Sequence, residues 1–251
     1  MLKRETVDRT AWLIMDRPEK LNAMPRSFMA ELTDAMSDVA ADDDVRCVVF
    51  AGEGRSFSVG GDIEDFGNIG GVSDRRAYMA EALGAYKAVD ELPKPTIAAV
   101  HGNAMGGGCE LTMVCDIVVA DETARFATPE VGVGLIPGPG IVRGVSHVNL
   151  HWMKWLVLTG LPIDAEQARL AGLVNVVVPA GEHRAEAQRL ADVIASRSAL
   201  AQAVGKAYLS RGTWDGQHQA AEVLALLQGA DDFAEGIAAF VEGRAPSFGA
   251  R

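Results

Sequence analysis

The chain has 251 residues, of which 49% are hydrophobic and 23% charged, values ordinary for a globular protein and long enough for one domain with a sizeable core. Its 23 basic and 34 acidic residues leave a net charge of -11, which excludes the electrostatic footprint of a nucleic-acid or anionic-membrane binder. The apolar runs are strand-sized, short of the roughly 18 residues of a membrane span, and three cysteines (Cys47, Cys109, Cys115) form neither a disulfide framework nor a zinc pattern. They read as reduced and buried. The charged start MLKRETVDRT has no signal-peptide core, so a cytoplasmic location is expected.

In chain order, Thr6 to Met15 ends in an apolar run stopped by Asp16-Arg17-Pro18 and reads as a strand. Pro25 suits a first helical turn, and Phe28, Leu32, Ala35, Met36 and Val39 follow at helical spacing, giving a helix to about Ala40. Val45 to Ala51 is nearly all apolar and β-branched, as a strand covered on both faces is, and leads into the glycine-rich GEGRSFSVGGD. Residues 64–73 look loop-like; 75–91 reads as a helix with Tyr78, Leu83, Tyr86 and Val89 inward. Pro95 to Val100 is a second buried-type strand, again followed by a glycine loop, HGNAMGGGCE, and by an apolar helix at Leu111 to Val114. Ile117 to Ala120 and Val174 to Val178 read as strands. From about residue 184 to Val241 Ala-rich helical patterns dominate, and no linker or low-complexity tract divides the chain. The expectation is α/β, a single domain over 1–251 with a helical C-terminal region.

GxxxxGK[ST], GxGxxG after a strand, HExxH and GxSxG are all missing. Two glycine loops after buried strands remain, with two glutamates behind the second. Gly106-Gly107-Gly108 precedes an apolar helix, where bare N–H groups at the positive end of the helix dipole suit a developing oxyanion. A lone glycine triplet is more often a tight turn that needs positive φ. Glu110 stands in the first helical turn among apolar residues, a place that the dipole favours for any acid. Glu130 follows Pro129 in FATPEVGVGLIPG, where a carboxylate is ordinarily solvated. Brought together in an apolar cleft, the two would repel and separate their pKa values, allowing one acid and one base. Spacing alone does not bring them together.

The blocks DRPEKLNAM, GRSFSVGGDIEDF, KPTIAAVHGNAMGGGCELTMVCDIVVAD, ARFATPEVGVGLIPG, LTGLPIDAEQARLAGLVNVVVP and FAEGIAAFVEGRAPSF, in this order, resemble the enoyl-CoA hydratase/isomerase family, the crotonase superfamily. The resemblance covers nearly the whole chain. It implies a spiral of ββα units with a helical C-terminal region that packs in trimers, often paired into hexamers. It implies that the backbone N–H groups of Gly61 and Gly107 hold a thioester carbonyl, and that Glu110 and Glu130 are the acid–base pair. The implied ligand is an acyl thioester of coenzyme A, part of the substrate, with no metal or redox cofactor. The matching contact segments are Lys20 to Ala23 and Ser58 to Ile63, with Lys20, Leu21, Ala23, Ser58, Gly60, Asp62 and Ile63 as candidate CoA-binding residues. The implied reaction is hydration of a 2-enoyl-CoA to 3-hydroxyacyl-CoA, with Glu110 on the water and Glu130 delivering the proton to C2.

Rival readings are a Δ3-Δ2 enoyl-CoA isomerase, which needs only one carboxylate, another acyl-CoA-transforming member of the family, or a CoA-ester-binding protein without turnover. The sequence departs from the family pattern after Ile136-Pro137-Gly138, at Glu64, which is basic in some members, and at Gly243, often lysine. Arg17, Lys20, Arg26 and Arg244 are then the candidate cations for the CoA phosphates. His147 and His151, an i, i+4 pair lacking a third ligand, read as packed or surface residues rather than a zinc site. In the tail from Asp215, the side chains of Ala220, Val223, Leu224, Leu227, Phe233, Ile237, Phe240 and Val241 exceed what a lone edge helix buries, so some should meet a neighbouring subunit.

Overall fold

The structure is a computed structural model that describes residues 1–66, 70–210 and 217–247; Asp215 and the side chains of Phe66, Gln217, Gln219 and Ala220 lie outside the described residues. Its larger sheet has six strands in the order β1-β2-β3-β5-β7-β10. β1 (Leu2–Val7) and β2 (Thr10–Met15) form an antiparallel hairpin; β3 (Cys47–Gly52), β5 (Thr96–Val100), β7 (Ile117–Asp121) and β10 (Val176–Val178) continue in parallel. The sequence suggested one strand from Thr6, and the hairpin corrects this. β1 is polar and exposed beyond Leu2, so it carries no apolar signal, as befits an edge strand. Asp8 takes the left-handed conformation (φ 51°) in the two-residue loop, which a short side chain with a local acceptor tolerates.

All six residues of β2 and of β3 are buried because alternate side chains serve two cores. Leu13, Met15, Val48, Phe50 and Ala98 face the main core beneath α1 (Ser27–Ala41) and α3 (Val72–Asp90). Trp12, Ile14, Val49, Ala51 and Ile97 face α8 (His183–Ala195), which packs on this side through Ala187 and Ala191. Helix α1 buries Phe28, Met29, Leu32, Met36 and Val39 at the expected spacing. Tyr78, Leu83, Tyr86 and Val89 of α3 are buried as the periodicity predicts. The stretch read as loop at 64–73 instead holds a short helix, α2 (Ile63–Phe66), and the start of α3. Asp62 caps α2 by accepting from the Glu64 N–H at 3.2 Å, a local stop-and-start signal within a glycine-rich run.

The smaller sheet is β4 (Ser56–Ser58), β6 (Asn103–Met105), β8 (Arg125–Ala127) and β9 (Ile163–Asp164), in that order, the first three parallel. Each of β3, β5 and β7 is followed after a short turn by β4, β6 and β8, so the chain winds as a spiral of paired strands. Helices follow: α4 (Gly107–Val114) after β6, and a 3-10 turn (Pro129–Val133) after β8. The rest is mostly helical: α5 (Gly138–Val142), α6 (Leu150–Thr159), α7 (Ala165–Leu170), α8, α9 (Ala199–Leu209), α10 (Gln217–Leu227) and α11 (Asp231–Glu242). The three cysteines are buried and unpaired. Among the described residues no helix is long and apolar enough to cross a membrane.

Candidate active site

The three parallel strands of the small sheet end at one edge, and each delivers a site residue. β4 leads to Gly60-Gly61, β6 to Gly106-Gly107 and β8 to Pro129-Glu130. The loops press together: a Cβ on Gly60 would lie 2.9 Å from the Gly107 nitrogen and one on Gly106 3.1 Å from Glu130 Oε1. Gly60 (φ 89°) and Gly106 (φ 52°) also need the left-handed backbone that glycine supplies at no steric cost.

A buried scaffold holds the first loop. Asn22, fully buried in the left-handed region (φ 58°), donates from Nδ2 to the carbonyls of Glu53, Ser56 and Phe57 and accepts the Arg17 N–H on Oδ1. Ser58 Oγ donates to the Asn22 carbonyl at 2.8 Å and accepts the Gly60 N–H at 3.1 Å. The Met24 N–H donates to Gly60 O and the Asp62 N–H to Met24 O, both at 2.8 Å. With both neighbours turned toward Met24, the Gly61 N–H points the other way, and among the described residues it has no acceptor. The Gly107 N–H, first in α4 and so without an intrahelical partner, also has none among them. Both glycines line one cavity of about 870 Å³.

Glu110 and Glu130 line the same cavity, so the structure brings together all four residues singled out as catalytic candidates. Glu110 is 6% exposed, and its Oε1 accepts the Gly140 N–H at 3.0 Å. Burial, and after it the charge of Glu130, push its carboxyl well above the usual carboxylate range. Glu130 Oε2 is buried without a hydrogen-bond partner among the described residues, and burial raises this carboxyl to about 7. Burial of both groups and their mutual repulsion keep the pair from ionising together in the ordinary carboxylate range. Tyr86 was legible only as an inward core residue; its hydroxyl donates to Gly107 O at 2.9 Å and ties α3 to the glycine loop. A phenol on a helical apolar stripe gives no sequence signal for that role.

Of the candidate CoA-binding residues, Lys20, Ala23, Asp62 and Ile63 line the cavity. Leu21, Ser58 and Gly60 do not: Leu21 caps the turn Pro18–Lys20 in the left-handed conformation, and Ser58 and Gly60 belong to the scaffold behind the glycine loop. The candidate phosphate cations all meet carboxylates. Lys20 pairs with Glu64 at 2.8 Å, Arg17 with Asp62 at 2.7 Å, Arg26 with Glu81 at 3.7 Å, and Arg244 with both Glu235 and Glu242 at 2.6 Å. His147 and His151 are exposed, and no cluster of metal-ligating side chains occurs among the described residues.

The family model described as Enoyl-CoA hydratase/isomerase matches residues 7–251. A probable enoyl-CoA hydratase of Rhizobium meliloti is 36% identical over 97% of this chain and 96% of its own. A 2,3-dehydroadipyl-CoA hydratase of Escherichia coli is 34% identical with the same coverage, 97% and 96%. The crystal structure of an enoyl-CoA hydratase/isomerase from Xanthobacter autotrophicus superposes with a TM-score of 0.89 at 29% identity, covering 96% of this chain and 93% of that one. The match runs through every strand that delivers a site residue, and with it the chain belongs to the enoyl-CoA hydratase/isomerase family and has the crotonase fold.

Proposed function

We propose that the protein is an enoyl-CoA hydratase, adding water across the 2,3 double bond of a 2-enoyl-CoA thioester and catalysing the reverse dehydration. The observation that carries the reading is the convergence of two buried carboxyls and two unpartnered glycine N–H groups on one cavity. The thioester oxygen accepts from the Gly61 and Gly107 N–H groups. As water adds at C3, negative charge collects on that oxygen in an enolate-like state, where pre-aimed donors act most strongly. Glu110, fixed by the Gly140 N–H, orients the water and takes its proton; Glu130 delivers a proton to C2. The pair then redistributes its one proton. Carbon gains hydrogen at C2 and hydroxyl at C3, with no net redox change, so the reading calls on no metal or redox cofactor. Lys20, Ala23, Asp62 and Ile63 accompany the thioester arm toward the mouth.

The decisive assay is the loss of enoyl-thioester absorbance on adding 2-enoyl-CoA esters to the purified chain, with the 3-hydroxyacyl product identified by mass. Isomerisation of a 3-enoyl-CoA without any hydration would replace this reading by the isomerase one; tight CoA-ester binding with neither reaction would leave a binding protein.

The reading includes assembly into a trimer, or a pair of trimers, in the cytoplasm. Support for assembly comes from apolar side chains left in water: Leu200, Tyr208 and Leu209 of α9 are 76%, 67% and 84% exposed, and Phe240 and Val241 of α11 are 61% and 73% exposed while also lining the cavity. Light scattering that gives a stable monomer at micromolar concentration would refute it.

A further inference from the structure

The cavity runs on beyond the reacting groups, and its far wall has its own chemistry. Tyr86 marks the thioester end, because its hydroxyl bonds the Gly107 carbonyl. Leu83, Ala82 and Met79 precede it on α3 by three, four and seven residues, the spacing of one helical stripe. Seven residues carry that stripe about 10 Å along the helix. Opposite, the Gly140 N–H that holds Glu110 belongs to the segment Gly138–Val142. Gly138 faces α3 and α10 so closely that a Cβ there would lie 3.3 Å from Leu83 Cδ2 and 3.2 Å from Leu224 Cδ1. Ile136 and Pro139 close the wall.

Charge is distributed unevenly along this cavity. Among the described residues its charged liners are Lys20, Asp62 and Glu64, which are ion-paired at the mouth, and Glu110 and Glu130 at the reacting centre. The far wall of Met79, Ala82, Leu83, Ile136, Pro139 and Leu224 carries no charged side chain, and the Arg26 guanidinium 5.3 Å from the ring of Tyr78, the neighbouring liner, is already paired with Glu81. Behind it, the buried Gln228 amide donates to Met79 Sδ at 3.9 Å, and a neutral amide does not balance an ion either. At about 870 Å³ the cavity is near the upper end of the range for small-molecule sites, so a four-carbon acyl group leaves the far wall uncovered.

We infer that the acyl tail of the preferred substrate is a neutral aliphatic chain longer than four carbons, seated from C4 onward between α3 and α10. The site thereby discriminates against a tail ending in a carboxylate. This rests on the acyl-CoA reading proposed above but not on the hydration step. Each methylene moved from water to such a wall contributes about fourfold in affinity. A carboxylate buried there without a partner should cost at least about a hundredfold.

The test is calorimetric binding of saturated CoA esters, which cannot be hydrated, to the full chain: butanoyl-, hexanoyl-, octanoyl- and adipyl-CoA. The expected result is a rise of about tenfold or more from butanoyl to hexanoyl and adipyl-CoA at least about a hundredfold weaker than hexanoyl-CoA. Ala82→Phe, once circular dichroism shows it folded, should flatten the rise by filling the space beside Leu83. Leu224→Arg, likewise folded, should bring adipyl-CoA toward hexanoyl-CoA. Equal affinity for adipyl- and hexanoyl-CoA, or no rise with chain length, would overturn the inference even if enoyl-CoA hydration is observed. A preserved rise in a chain that hydrates nothing would sustain it while removing the hydratase assignment.

Discussion

The two sheets divide the work of the molecule. The central strands of the larger sheet are buried on both faces, with Phe50 in one core and Val49 in the other, and of the catalytic candidates the sheet holds none. The smaller sheet has strands of two or three residues and little apolar surface of its own, yet each of its three parallel strands runs into a turn that carries a site residue. Such short strands cannot stand alone. They are held by the larger sheet, from which each enters after a turn, and by the Asn22–Ser58 scaffold. Stability resides mainly in one sheet and chemistry at the edge of the other, so substitutions in the two should separate cleanly by readout.

The largest effect expected is at the site. Glu110→Gln and Glu130→Gln should each slow enoyl-CoA hydration by about 10²- to 10⁴-fold, measured as kcat on protein whose melting curve shows it folded. Wild-type turnover in either variant removes that glutamate from the mechanism. Phe50→Ala tests the other half of the comparison. This fully buried ring should cost about 3 to 5 kcal/mol in denaturant unfolding while activity per folded molecule survives at low temperature. Loss of activity with full stability would show that the sheets are not separable. The oxyanion donor proposed at Gly107 calls for a paired design, because any Cβ there would lie 2.6 Å from the Tyr86 hydroxyl and 2.8 Å from Met24 Cε. In a Tyr86→Phe background, which clears the first contact, Gly107→Pro removes the N–H at a helical position where proline is otherwise accepted. It should lower kcat/KM about 10²- to 10³-fold relative to its parent, and an active, folded double variant would end the oxyanion assignment.

The sequence was legible where burial was continuous. VRCVVFA, PTIAAV and IVVA announce β3, β5 and β7 because parallel strands covered on both faces need apolar side chains at every position. β1 escaped because LKRETV looks outward, and β4, β6, β8 and β9 escaped because so few residues carry no period. The site was legible in its residue types but not in its convergence. Nothing in the nineteen residues between Glu110 and Glu130 says that a turn after a three-residue strand returns the second to the cavity of the first. That step came from the resemblance. Tyr86 escaped as part of the site, and Asn22, inside the contact segment Lys20 to Ala23, escaped in its scaffolding role, for a related reason: each acts on the backbone of another loop, and a contact of that kind leaves no local pattern.

The smallest effect concerns what the site costs the fold. The Glu130 carboxyl is raised from an ordinary 4.5 to about 7 by burial, so its folded pKa exceeds its unfolded one. Below about pH 4.5 both states hold the proton and the group imposes no penalty. Between there and pH 7 the unfolded chain releases the proton while the folded chain keeps it, so stability falls as pH rises. Well above pH 7 the penalty is complete, on the order of 3 kcal/mol. Glu130→Gln cannot titrate, and its unfolding free energy relative to wild type should therefore climb by about 3 kcal/mol between pH 4.5 and pH 8. The difference between the two pH values is the readout, because an amide that packs better or worse in the pocket shifts both alike. A flat difference across that window would mean that Glu130 ionises freely in the folded chain, and would remove the proton donor proposed at the smaller sheet's edge.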